Sequence, residues 1–77
     1  MQAELIVIGT ELLLGEIVDT NSPFLAGKLA EYGVNLYYIS TVGDNLQRGL
    51  GVLQRALQRS DLIIMTGGLG PTADHFP

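Results

Sequence analysis

The chain has 77 residues, enough for one small domain and too few for two. Hydrophobic residues make up 47% of it, which fits a globular core and excludes a disordered segment. The sequence has no cysteine, which excludes disulfides and thiol catalysis and agrees with a reducing cytoplasm. A net charge of −4 argues against nucleic acid as a partner. Neither a signal peptide nor the ~20 apolar residues of a membrane span is found, so we expect a soluble, cytoplasmic protein.

Three short segments predict the strands of a parallel sheet. Residues 5–8 and 62–65 are continuous apolar runs, typical of strands buried on both faces. Residues 34–42 are rich in β-branched and aromatic side chains but more polar, which places this strand nearer an edge. Because helical patterns separate the strands, the order predicts an α/β fold with right-handed crossovers.

The first predicted helix covers residues 23–32. Asn21 or Ser22 can cap it, Pro23 suits its first position, and Gly33 ends it. Residues 12–18, which precede it, form a leucine-rich run that fits either a helical turn or an extended arm. In both cases the run can act as a hydrophobic flap over the end of the sheet.

The second predicted helix follows Asp44 or Asn45, either of which can cap it. Its apolar stripe consists of Leu46, Leu50, Leu53 and Leu57. Its opposite face carries three arginines, Arg48, Arg55 and Arg59.

Residues 66–75 (Thr-Gly-Gly-Leu-Gly-Pro-Thr-Ala-Asp-His) follow the third predicted strand directly. They suit a tight loop whose backbone N–H groups bind an anion, above all phosphate. Glycine allows a positive φ there and lets a ligand approach without a Cβ in the way. The loop lacks the P-loop ending and the dinucleotide-binding spacing, so a plain strand-to-helix turn is the alternative.

Polar residues follow all three predicted strands. They are Gly9, Thr10 and Glu11 after the first, Gly43 and Asp44 after the second, and the glycine loop after the third. Because the carboxyl ends of parallel strands meet at one edge of the sheet, we expect a binding site there.

Asp44 and Asp74 are the candidate catalytic residues and the candidate ligands for Mg²⁺ or another divalent cation, since hard cations prefer carboxylate oxygen. The alternatives are a helix cap for Asp44 and a solvated loop residue for Asp74. Glu11 is a third ligand or a capping acid, and the single histidine, His75, is more simply an exposed residue. The candidate phosphate- and ligand-binding residues are Gly9, Thr10, Glu11, Thr66, Gly67, Gly68, Gly70, Pro71 and Thr72.

Residues 9–21, 42–45 and 66–72 together resemble the amino-terminal domain of the CinA (competence/damage-inducible protein A) family, which contains the MoaB/Mog molybdopterin-binding fold. The resemblance implies a three-layer α/β/α domain with a parallel sheet, of which this chain holds the first β-α-β-α-β portion. It also implies a nucleotide or pterin diphosphate ligand at the strand ends. Asp44 matches the first acidic position of the family site, and the glycines of residues 67–70 match its phosphate loop.

The chain departs from the family pattern after Asp74. The pattern continues with a second aspartate and, one residue later, a threonine, where this sequence has His75 and Pro77. We therefore expect an incomplete domain. Its end at Pro77 is natural, the result of a frameshift, or an artificial boundary.

Two functions follow as hypotheses. The first is a domain that binds a nucleotide or pterin diphosphate, whose intact parent is a metal-dependent ADP-ribose-type pyrophosphatase, with weak or no catalysis in this chain. The second is a non-catalytic binding or assembly module that forms homo-oligomers through its exposed third strand.

Overall fold

A computed structural model of the chain describes residues 1–67. The elements are β1 (Gln2–Ile8), α1 (Thr10–Leu13), α2 (Asn21–Glu31), β2 (Asn35–Val42), α3 (Leu46–Arg59) and β3 (Leu62–Thr66). The predicted alternation of strands and helices is confirmed, and the start of the leucine-rich run forms the single helical turn α1.

The three strands form one parallel sheet in the order β2-β1-β3. Within the described residues β2 is an edge strand, as its polar sequence predicts, and β1 is central. The chain steps from β1 to β2 in one direction and from β2 to β3 in the other. Right-handed crossovers therefore place α2 and α3 on opposite faces of the sheet, which gives the α/β fold predicted from the sequence.

The core lies between β1 and α3. Ile6 and Ile8 of β1 pack with Val42 of β2 and Ala56 of α3, and all four are buried. Consecutive side chains of a strand point to opposite faces, so the equally buried Leu5 and Val7 lie on the other face. The central strand is thus covered on both sides.

Helix α3 does not bury the leucine stripe as a whole. Leu46, Leu50 and Leu57 are 65%, 47% and 64% exposed within the described structure. The residues that α3 buries completely are the small ones, Gly49 and Ala56. Small side chains let the helix approach the sheet closely, and the bulkier leucines are left beside the contact.

The structure corrects the predicted start of α2 and confirms a predicted cap of α3. Helix α2 begins at Asn21 rather than Pro23, because the Asp19 carboxylate accepts hydrogen bonds from the backbone N–H groups of Asn21 (3.1 Å) and Ser22 (3.0 Å). The Ser22 hydroxyl also donates to Asp19, and these bonds lower the pKa of the Asp19 carboxyl. Helix α3 is capped by Asn45, whose side chain accepts from the Arg48 N–H at 3.0 Å.

A buried acid, Glu4, lies in β1 and was not predicted. Its carboxylate accepts two hydrogen bonds from Arg59, at 3.0 and 2.7 Å, and one from the Ser60 hydroxyl at 2.7 Å. The Arg59 guanidinium also lies 3.7 Å from the centre of the Tyr38 ring. The sequence predicts Arg59 on the helix face opposite the leucine stripe; in the structure its side chain is partly exposed and pairs with Glu4, because the buried carboxylate requires a cationic partner.

We expect Glu4→Gln to lower the free energy of unfolding by about 2 kcal/mol at pH 7, because the neutral amide leaves Arg59 without its counter-charge. Urea unfolding followed by circular dichroism measures the change. Glu31→Gln is the matched control, since Glu31 is exposed and its ion pair with Lys28 is long (3.8 Å). Loss of this ion pair should lower the free energy of unfolding by less than about 0.5 kcal/mol.

The same pair of proteins tests the pH dependence. The hydrogen bonds from Arg59 hold the pKa of Glu4 below its ordinary value. The stabilisation is therefore present above the ordinary glutamate pKa of about 4.3 and is lost as the pH falls through the lower folded-state pKa. The stability difference between wild type and Glu4→Gln should shrink below pH ~4. A difference that stays constant would contradict the role of the charge.

Candidate functional site at the carboxyl edge of the sheet

The carboxyl ends of the three strands lie at one edge of the sheet. Ile8 is aligned with Val42 of β2, and Val7 is aligned with Thr66 of β3. The Gly9 N–H donates to the Val42 carbonyl at 2.8 Å, which fixes the exit of β1 against the exit of β2. The predicted convergence of the strand ends is confirmed.

Thr10 and Asp44 contact each other at this edge. The Asp44 N–H donates to Thr10 Oγ1 at 3.0 Å, and the Thr10 hydroxyl lies 3.5 Å from Asp44 Oδ2. Thr10 begins α1 just after β1, and Asp44 lies in the loop after β2, so the topology of the sheet brings them together. Asp44 is exposed. The alternative role predicted for Asp44, capping α3, belongs to Asn45.

Glu11 lies in the first turn of α1 and is exposed. Its carboxylate oxygen lies over Gly9, 3.1 Å from where a Cβ of that residue would be. This places a second acid at the same end of β1 as Thr10. The role of Glu11 as ligand or capping acid stays a prediction.

Gly67, the first residue of the glycine loop, has a positive φ of 92°. A Cβ at this position would lie 2.0 Å from the Ile8 carbonyl oxygen, so no other residue fits without a shift of the backbone. The positive φ expected for the loop is present at Gly67. The close approach that requires glycine here is to the backbone of β1, and Thr66 before it is half-buried at the end of β3.

The remaining predicted site residues lie outside the described part of the chain. They are Gly68, Gly70, Pro71, Thr72 and Asp74. Their roles in binding phosphate and metal stay predictions.

Within residues 1–67 no group of three or more acidic or histidine side chains could hold a metal ion. Asp44 is the main predicted metal ligand in this range, and Glu11 is the alternative third ligand. Mg²⁺ is commonly held by one or two carboxylates together with the phosphates of a substrate, and a single exposed carboxylate fits that arrangement. The described residues do not fit an all-protein metal cage.

Sequence reasoning missed two cationic residues beside this edge. Arg48 and Arg55 line a cleft of about 620 Å³ between β2 and α3, whose lining includes Gly43, the chain neighbour of Asp44. Their spacing of seven residues on one helix is the signal that could have identified them as a pair.

Comparison with known proteins agrees with this architecture. Residues 4–76 match the family model described as "Probable molybdopterin binding domain". The chain belongs to the molybdopterin-binding domain family.

Relatives of this domain point to the CinA group, as the sequence motifs predict. Competence-damage inducible proteins of Levilactobacillus brevis, Halothermothrix orenii and Clostridioides difficile are 61%, 65% and 60% identical to the chain over 76 residues. Each match covers 99% of this chain and 18% of the relative, so the chain spans about a fifth of the length of these proteins.

A solved structure shares the fold of this molybdopterin-binding domain. CinA of Thermoplasma acidophilum, a protein of unknown function, superposes with a TM-score of 0.87 at 36% identity. The superposition covers 96% of this chain and 45% of that chain. In the described region, none of the helices has both the length and the apolar character needed to cross a membrane.

We expect Gly67→Ala to lower the free energy of unfolding by more than about 2 kcal/mol, because the new Cβ meets the Ile8 carbonyl and φ is positive. Gly51→Ala is the control. Gly51 is exposed in α3 and its Cβ would meet no atom within 4 Å, so alanine should stabilise the helix by up to about 1 kcal/mol. Thermal melts compare the two, and equal effects would contradict the close packing at Gly67.

Proposed function

We propose that the chain forms part of a binding site for the diphosphate of a nucleotide or a pterin, at the carboxyl edge of its sheet. The observation that carries the proposal is the contact between Thr10 and Asp44, which aligns a hydroxyl and a carboxylate at the exits of β1 and β2. In open α/β sheets, ligands bind outside the carboxyl ends of the strands.

Each residue has a distinct role in this proposal. The backbone N–H groups of residues 67–70 hold the phosphates, as glycine-rich loops do. The Thr10 hydroxyl fixes the orientation of the Asp44 carboxylate, because it accepts from the Asp44 N–H and lies within reach of Oδ2. Asp44, with Asp74, holds Mg²⁺ or orients a water molecule.

The electrostatics of the edge support a need for a cation. Asp44 and Glu11 are both exposed there, and the chain has a net charge of −4. A diphosphate beside two carboxylates is repelled unless a cation lies between them. When bound, Mg²⁺ would offset this repulsion and polarise the phosphoryl oxygens.

The family supports a small-molecule ligand, since its model describes molybdopterin binding. Hydrolysis of an ADP-ribose-type pyrophosphate belongs to the proposal for longer relatives only. In this chain His75 stands where the family pattern has an aspartate, and we propose weak or no turnover. A cytoplasmic location is part of the same proposal.

Calorimetric titration with ADP-ribose tests the binding site. We expect Mg²⁺ to add a heat of binding that is missing in metal-free buffer, and at least a tenfold weaker affinity for Asp44→Asn in Mg²⁺, which is a loss of about 1.4 kcal/mol. The matched control is Glu31→Gln, which removes the same charge at the far end of α2 and should bind like wild type.

A cooperative melt establishes that each protein is folded. A folded wild type that binds no ADP-ribose in Mg²⁺, or an Asp44→Asn variant that binds as tightly as wild type, would reject the proposal. Formation of AMP and ribose 5-phosphate from ADP-ribose above a metal-free blank would reject the expected lack of turnover.

A second candidate is a non-catalytic assembly module that pairs with a second copy of itself. It is favoured by exposed apolar residues beside β3, which within residues 1–67 pairs only with β1. Leu46, Leu50 and Met65 line an apolar cavity of about 220 Å³ there. Such a surface next to an open strand edge favours self-association.

Sedimentation velocity over a range of concentrations tests this candidate. We expect wild type to form dimers at high concentration and Leu50→Glu to stay monomeric, since a charge in the apolar patch opposes its burial. Tyr32→Glu, at the exposed end of α2, should behave like wild type. A wild type that is monomeric at every concentration would leave this candidate without support and reject it.

A further inference from the structure

The cleft between β2 and α3 has a mainly apolar lining that carries two cationic side chains. Arg48 and Arg55 contribute to it from α3, beside the polar Thr41 and Asn45, and its apolar part includes Leu13, Val42 and Val52. Its volume of about 620 Å³ is within the usual range of small-molecule sites. The cleft is therefore large enough for a phosphorylated metabolite.

The charges of the chain make this lining unusual. The sequence has four basic residues against eight acidic ones. Lys28 has an acidic partner on its own helix, and Arg59 is bound to the buried Glu4. For Arg48 and Arg55 the described residues supply no carboxylate within 4.0 Å. The two cations without an acidic partner in residues 1–67 thus line one cleft.

The helix geometry makes the two arginines a pair. Residues seven apart lie on the same side of a helix, about 10 Å apart along its axis. Gly51 lies between them, and a Cβ there would meet no atom within 4 Å. The space between the two side chains is open. Each guanidinium presents a planar set of donors that matches phosphate oxygens in pairs.

We propose that Arg48 and Arg55 form a metal-independent binding site for a small, multiply charged phosphate compound. Two arginines on a chain of net charge −4 are too few to hold a long polyanion, so the ligand is a small molecule. The site lies beside the carboxyl edge but requires neither Asp44 nor Mg²⁺. It therefore goes beyond the function proposed above.

Titration of the full chain with inorganic pyrophosphate in metal-free, low-salt buffer tests the site. We expect binding by wild type, at least tenfold weaker binding by the double variant Arg48→Gln/Arg55→Gln, and a similar loss for Gly51→Glu, which puts a carboxylate between the arginines. Lys28→Gln is the matched control for loss of a positive charge and should bind like wild type.

Two measurements separate this site from the function proposed above and from a folding defect. Asp44→Asn should bind pyrophosphate at least as tightly as wild type, although it loses Mg²⁺-dependent binding of ADP-ribose. In NMR spectra of the wild-type arginine side chains, pyrophosphate should shift the Nε signals of Arg48 and Arg55 and leave that of Arg59 in place.

The proposal is overturned if wild type does not bind pyrophosphate, or if the folded double variant binds it as tightly as wild type. Equal shifts at all three arginines would show non-specific attraction and would also overturn it. If the double variant does not fold, the spectra of wild type and the Gly51→Glu titration decide the question.

Discussion

The burial of β1 on both faces is the constraint on which the rest of the structure depends. Every residue from Ala3 to Ile8 is buried, so each side of the strand needs a covering element. The chain meets this need with one crossover helix on each face, α2 and α3. Because those crossovers are right-handed, the strand order is set, and the loops after all three strands reach the same edge. The candidate site is thus a consequence of how the central strand is covered.

The burial of β1 also explains why Glu4, a charged residue inside the sheet, has three hydrogen bonds to its carboxylate. Glu4 lies among the apolar residues of β1, and an unpaired carboxylate there would be costly. Arg59 and Ser60, at the junction of α3 and β3, supply the hydrogen bonds that compensate for its desolvation. This polar cluster lies near the amino ends of the strands, whereas Thr10 and Asp44 lie at the carboxyl ends. Structural and candidate functional charges are therefore separated along the sheet.

Much of this arrangement was predictable from the sequence. Apolar runs gave the strands, the turn residues separated the elements, and parallel topology alone predicted that Thr10 and Asp44 share an edge. The role of Glu4 was not predictable, because its partner is 55 residues away and periodicity carries no information on such pairs. The burial of Gly49 and Ala56 in place of three leucines is likewise a property of close helix-to-sheet packing, which apolar spacing cannot resolve. Of the glycine loop, only Gly67 can be compared with its prediction.

The alignment of β1 with β2 shifts by one residue between Ala3 and Glu4. Leu36 is opposite Ala3 but Tyr38 is opposite Glu4, so Tyr37 has no counterpart in β1. A residue lost at Tyr37 would therefore leave the later pairs in register, from Tyr38 opposite Glu4 to Val42 opposite Ile8. A residue lost between Tyr38 and Val42 would instead move the end of β2 out of step with β1, and side chains that point inward and outward would exchange places there. The tolerance of this edge strand to deletions thus differs along its length, and the regular part after the bulge is the part that holds Val42 in the core and Asp44 beside Thr10.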